Sequence, residues 1–200
     1  IQNKSLELCL LLSIPASFAL LLASNEIINA LFGYGSFNEE SVALTGAALK
    51  YFGYGIPAFA LIKILSNFFF ARDDTKTPFY LSLFSVILNV FISIYYFKEI
   101  GFIIIPIATS ISTWLTVVIY FILLIKYDFL KLNSFPLLSF LKIIFSAIIM
   151  SFILFYGLDF FEDKFIYSNN YKSIYLLIMV SLAAGIYLMS CYLLGLLKIK

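Results

Sequence analysis

The charges of this chain are too few and too unevenly spread for most folds. Lys, Arg, Asp and Glu make up 12% of its 200 residues. They leave six apolar runs between them, at about 6–32, 41–71, 79–97, 102–125, 136–158 and 172–197. A bilayer core is spanned by about 20 apolar residues in a helix, and each run has close to that length or more. A water-soluble domain carries roughly 25% charged residues because its surface faces water, so that class is excluded. The period-two alternation of transmembrane barrel strands is absent. The expected fold is an all-α integral membrane protein with six transmembrane helices. The run at 41–71 is longer than a bilayer requires, which predicts tilt or a first turn at the interface.

The connections, at 33–40, 72–78, 98–101, 126–135 and 159–171, are short, so sequential helices are expected to run antiparallel in one bundle. Ser36 and Glu39 have the spacing of a capping box, predicting a second helix that starts near Phe37. Pro78 and Pro136 suit the first turn of a helix, where a missing N–H costs nothing. The chain opens on Ile1 without the layout of a signal peptide, and it is read as a piece of a longer protein.

Alternate connections can be summed for charge. Lys4, Arg72, Lys76, Lys126, Lys131, Lys198 and Lys200 fall on one side of the bundle, and Lys98, Lys164 and Lys172 on the other. The positive-inside rule puts the richer side in the cytoplasm, with both ends of the segment there. The stretch 72–78, Arg-Asp-Asp-Thr-Lys-Thr-Pro, then becomes a cytoplasmic turn.

Within the runs, polar residues carry the information. A lysine at mid-span costs about 2.5–3.5 kcal/mol on insertion scales. Lys63 either snorkels to the inner interface or faces a water-filled cavity, and Asn67, four residues on, shares its helix face. Lys50 and Lys142 lie near enough to span ends to snorkel. Ser110, Ser112, Thr113 and Thr116 have the three- and four-residue spacing of close helix packing. Asn89, Ser93 and Thr109, with backbone oxygen loosened by Pro106, are ligand types for a hard cation.

Several classes are excluded. Histidine is absent, which removes His-based triads, haem ligation and His–zinc sites from this chain. Cys9 and Cys191 sit in apolar runs without disulfide or zinc spacing and read as core residues. Glu7, Glu26 and Asp159 lie near span ends, leaving no mid-membrane carboxylate pair for a proton relay. The net charge of +2 gives no reason to expect nucleic acid. A polytopic enzyme acting on a lipid-linked sugar would cluster carboxylates in its loops. Asp159, Glu162 and Asp163 do occur together, but beside Lys164, Asn169 and Asn170, as in a solvated loop.

The run EIINALFGYGSF at 26–37, then YFGYGIPAFALIKILSNFFFARDDTKTP at 51–78, VILNVFIS at 86–93 and GFIIIPIATSIS at 101–112 resemble the MurJ/MviN family. These are lipid II flippases of the multidrug/oligosaccharidyl-lipid/polysaccharide exporter superfamily. The pattern from Phe69 to Pro78, with Arg72, Asp74, Thr75, Lys76, Thr77 and Pro78, is its most specific part. The resemblance is strong from about 20 to 115 and rests on hydropathy beyond that.

It implies a larger two-bundle transporter of fourteen helices. Residues 1–131 would be four helices of the second bundle, and 132–200 two additional C-terminal helices flanking a groove for a lipid tail. The implied function is moving undecaprenyl-pyrophosphate-linked peptidoglycan precursor from the inner to the outer leaflet of the bacterial inner membrane by alternating access. Membrane lipids and the helices preceding this segment are the implied partners. Lys63, Asn67, Arg72 and Lys76 are the substrate-pathway candidates, Arg72 and Lys76 at the cytoplasmic entrance. Some members hold a sodium coupling ion at positions matched by Asn89, the Ile105 carbonyl and Thr109, together with an acid from a helix outside this segment, and Ser93 stands where they carry a further acid. A polysaccharide or drug exporter of the same superfamily is the alternative.

Overall fold

The computed structural model describes residues 2–129, 137–167, 169 and 171–197. Lys131, Pro136, Asn170, Lys198 and Lys200, on which parts of the sequence reading fell, lie outside the described residues.

The described chain is helical, in six α-helices: α1 (Gln2–Phe32), α2 (Glu39–Phe70), α3 (Lys76–Ile100), α4 (Ile104–Lys126), α5 (Leu137–Phe160) and α6 (Lys172–Leu193). Five continuous stretches are long and apolar enough to cross a membrane, the longest being Lys76–Lys126 with 51 residues. That stretch is not straight. Gly101 takes φ +73° and ψ −154°, a conformation that favours glycine, and the chain reverses there. Asn89 and Thr109, twenty positions apart, consequently lie within 2.8 Å of each other.

The packing order is α3 on α4, α4 on α2, α2 on α1, α1 on α5 and α5 on α6, with α6 also touching α1. One apolar core runs through α1, α2, α4, α5 and α6, around Leu6, Leu65, Phe69, Tyr120, Ile143 and Cys191. The edge helix α3 buries only Pro78 and Leu81. Phe, Leu and Ile side chains cover the outward faces, as at Leu12, Phe91, Ile94 and Leu138. Apolar faces of this kind are at home against lipid.

The start of α2 corrects one expectation. Asn38, not Ser36, is the N-cap: its Oδ1 accepts from the Ser41 amide at 2.9 Å. Gly35 turns the chain with φ +62°, and Ser36 lies two residues ahead of the N-cap position. Glu39 and Glu40 then fill the first turn, where the helix dipole favours negative charge.

Two prolines inside helices show how the bundle is fastened. A proline leaves the carbonyl four residues earlier without its helical partner, and in lipid that oxygen must find another donor. Pro57 releases Gly53 O, which accepts from Ser17 Oγ of α1 at 2.7 Å. Pro15 releases Leu11 O, which accepts from Tyr187 Oη of α6 at 2.7 Å. Around Pro57, Ser110 Oγ and Trp114 Nε1 of α4 also donate to Tyr51 O and Tyr54 O, at 2.7 and 2.9 Å. The serines and threonines of α4 that read as packing residues are buried, and Ser110 makes its bond across to α2.

Candidate functional site

The 72–78 turn is built from both of its flanking helices. At the end of α2, Asp73 takes the left-handed conformation with φ +58°. The Asp74 amide returns to Phe69 O at 3.1 Å and the Asp73 amide to Phe70 O at 3.1 Å, the two bonds of a Schellman end. Asp74 then caps α3. Its Oδ1 accepts from the Lys76 and Thr77 amides, each at 3.0 Å, and its Oδ2 from Thr77 Oγ1 at 2.7 Å. The bond from the Thr77 amide is the main reason its carboxyl is held below the ordinary carboxylate range. The Thr75 side chain makes no capping bond, its carbonyl accepts from the Phe79 amide, and Pro78 sits in the first turn of α3 as expected.

Arg72 does not hang free in this turn. Its guanidinium donates to Phe68 O at 2.7 Å and lies over the ring of Phe129, just beyond α4. Lys76, by contrast, is exposed.

Lys63 and Asn67 occupy one face of α2. Phe52, Phe59, Lys63, Asn67 and Phe70 are all exposed there and recur at helical spacing. The opposite faces of the helix pack on α1 and α4. The structure therefore leaves an open stripe that carries one cation and one amide and runs down to the Arg72 turn.

Asn89, Ile105 and Thr109 are brought together between α3 and α4. Thr109 Oγ1 donates to Ile105 O at 2.7 Å and lies 2.8 Å from Asn89 Nδ2. Since the threonine proton is committed, its oxygen accepts, and the amide nitrogen must face it. Ser93, one turn further on, has a buried hydroxyl with no partner among the described residues. The described residues of this chain offer neutral oxygens here, and Ile105 O already accepts from Thr109. Among the described residues there is no cluster of three His, Cys, Asp or Glu side chains. Asn89, Ile105 and Thr109 act as a polar clasp between two helices.

At the opposite end of the bundle, a residue read as an interfacial charge turns out to be interior. Lys172 has no exposed surface; its Nζ donates to Gly33 O, Asn29 Oδ1 and Tyr167 O. Lys142 behaves as expected of a snorkelling lysine, reaching Leu194 O at the end of α6, 2.8 Å away. The proline-released carbonyls and the Lys172 node were not found from sequence, because the donors come from other helices.

Two apolar cavities lie beside α1. One, of about 270 Å3, is lined by Leu11, Pro15, Met150, Leu154, Ala183 and Tyr187, between α1, α5 and α6. The other, of about 360 Å3, is lined by Ile14, Pro57, Trp114, Phe121, Phe140 and Ile144.

Comparison with known proteins gives a consistent answer. The family model described as Lipid II flippase MurJ matches residues 1–178. A probable lipid II flippase MurJ of Rhizobium tropici is 40% identical over 126 residues, 63% of this chain and 24% of that protein. One of Buchnera aphidicola subsp. Baizongia pistaciae is 28% identical over 97% of this chain and 38% of its own length. A solved lipid II flippase MurJ in an inward closed conformation superposes with a TM-score of 0.78 at 25% identity, over 96% of this chain and 38% of that one. The chain thus spans well under half the length of these relatives. By the extent of the family match, it belongs to the MurJ lipid II flippase family.

Proposed function

We propose that this chain is the C-terminal part of a flippase that carries undecaprenyl-pyrophosphate-linked peptidoglycan precursor from the inner to the outer leaflet of the bacterial inner membrane. The observation that carries this reading is the open stripe of α2. A lysine and an amide one turn apart, Lys63 and Asn67, are left uncovered within this chain, in the half of α2 whose opposite face is packed through Leu61, Leu65, Phe68 and Phe69. Facing lipid, Lys63 would cost about 2.5–3.5 kcal/mol. Facing a hydrated path for a pyrophosphate head group, it gains a partner instead.

The layout that goes with this function has six crossings, α3 and α4 making one each. Residues 1–131 complete a transporter bundle, and 132–200 form an added pair. The reversal at Gly101 supports the first point, and the attachment of α5 and α6 through α1 supports the second. The end bearing Lys4, Arg72, Lys76 and Lys126 is assigned to the cytoplasm by its positive charge. There Arg72 fixes the shape of the entrance and the exposed Lys76 meets the head group. The apolar cavity between α1, α5 and α6 suits a stretch of the lipid tail. The preceding helices of the transporter and membrane lipids cover the remaining apolar faces. Alternating access is built here on Lys63 and the helix ends, and no step is routed through a cation at Asn89, Ser93, Ile105 and Thr109.

Lys63→Gln, expressed in the complete transporter at normal membrane levels, tests the reading. Translocation of the precursor should fall about tenfold, the loss expected for one charge-assisted contact of about 1.4 kcal/mol. Normal precursor translocation in Lys63→Gln would take the α2 stripe out of the substrate path. A complete wild-type transporter that moves no precursor would turn the assignment toward a polysaccharide or drug exporter of the same superfamily.

A further inference from the structure

Lys172 opens α6, where the positive end of the helix dipole disfavours a cation. Its side chain turns away from that end and reaches the last turn of α1. Nζ lies 2.6 Å from Gly33 O, 2.8 Å from Asn29 Oδ1 and 2.9 Å from Tyr167 O. An ammonium has three N–H donors, and here each has an acceptor. The rings of Tyr34 and Tyr167 face the same nitrogen at 4.2 and 4.7 Å. Among the described residues no carboxylate pairs with it. Three neutral oxygens and two ring faces match the requirements of a primary ammonium.

The walls of this cage are held by bonds that do not involve the lysine. Asn29 Nδ2 donates to Phe165 O at 2.6 Å, and Tyr167 Oη to Phe37 O at 2.7 Å. Tyr34 Oη is 2.9 Å from Ser173 Oγ, which bonds Ala30 O at 2.6 Å. A small apolar cluster of Ala30, Phe165 and Leu176 packs around them. A Cβ at position 33 would strike the Asn29 side chain, so only glycine lets Asn29 and the Gly33 carbonyl converge on one point.

We propose that Asn29, Gly33, Tyr34 and Tyr167 form a receptor for a primary ammonium group, filled in this chain by Lys172, and that its occupancy fastens the first turn of α6 to the last turn of α1. At the far end of the same two helices, Tyr187 bonds Leu11 O. The apolar cavity of about 270 Å3 lies alongside these helices, so the ammonium helps to set the separation of α1 and α6. The inference rests on the geometry of this chain and stands apart from the flippase reading.

The test uses Ala30→Cys in the protein in its native membrane, since Ala30 is buried beside the cage. Alkylation by N-ethylmaleimide is read residue by residue by mass spectrometry, with the buried Cys191 as the folding control. Lys172→Ala should raise alkylation at position 30 at least fivefold with Cys191 still protected. Tens of millimolar ethylammonium should restore protection, and the same concentration of sodium should not. Lys172→Met, which fills the cage without an ammonium, should be alkylated and resist rescue. Protection retained in Lys172→Met, or no response of folded Lys172→Ala to ethylammonium, would overturn the proposal. If Lys172→Ala exposes Cys191 as well, Tyr34→Leu removes one ring face instead. It should raise alkylation at position 30 at least twofold, and unchanged alkylation would overturn the proposal equally.

Discussion

The guanidinium of Arg72 lies 4.0 Å from the centre of the Phe129 ring, so the turn after α2 is bound to the segment after α4. Phe129 also meets the ring of Phe69 at 5.6 Å, and Phe69 meets Tyr120 at 5.8 Å. α4 ends as α2 does: Asp128 takes φ +53° and the Phe129 amide returns to Leu124 O. Two helix ends with the same backbone motif are thereby joined by one arginine.

Arg72→Lys is therefore expected to behave as a loss. An ammonium cannot stack on Phe129 and reach Phe68 O with the same planar group. The cation–π contact at an exposed site contributes about 0.5–1 kcal/mol. Thermal unfolding in detergent should fall by about 1–4 °C for a chain of this size, with insertion unchanged.

Asp74→Ala should loosen the first turn of α3, measured as faster hydrogen exchange at the Lys76 and Thr77 amides. Asp74→Asn, still an N-cap acceptor, should keep most of the protection. The wild-type carboxyl titrates below its ordinary value of 3.8 because it accepts these bonds. A depressed folded value means that its contribution is present above the ordinary range and is lost as pH falls through the folded value. Protection of the Lys76 and Thr77 amides, taken relative to their intrinsic exchange rates, should fall in the wild type as pH drops through the depressed folded value and show no such step in Asp74→Asn.

Ser17→Ala should cost about 1–2 kcal/mol, because Gly53 O is left without a donor in an apolar setting. The cost depends on Pro57. In a Pro57→Ala background the helix regains an amide for that carbonyl, so the same serine change should cost less. A double-mutant cycle by equilibrium unfolding should give a coupling of about 0.5 kcal/mol or more. Strict additivity would contradict the pairing of the released carbonyl with Ser17.

Gly55→Val probes the contact of α2 with α4. Even the first carbon of a side chain there would stand 2.8 Å from Ser110 Oγ and 2.9 Å from the Phe59 ring. Overpacking of this kind costs about 1–3 kcal/mol. Unfolding measurements should find that loss, with the bond from Ser110 to Tyr51 O broken.

The helices themselves were readable from sequence because a bilayer leaves few alternatives: long apolar runs between short polar turns. The neighbours of Asn89 were also readable, since its match to Ile105 and Thr109 followed the resemblance, and the structure brings those three together. The role of Arg72 was half visible. Its charge marks a turn, but its partner Phe129 is remote in sequence. Ser36 misled because its spacing to Glu39 imitates a capping box, while Asn38 lies closer to the helix and wins. Lys172 counted as a surface charge because nothing local shows that Asn29, Gly33 and Tyr34 stand over it.

The central claim is that the open stripe of α2 borders a hydrated path for a lipid-linked pyrophosphate. Asn67→Cys in the complete transporter tests it most directly, with the rate of alkylation by a charged, water-soluble thiol reagent as the measurement. The account predicts ready alkylation, slowed several-fold by the lipid-linked precursor. A thiol that resists the reagent while the protein remains folded, as a position facing lipid would, contradicts it.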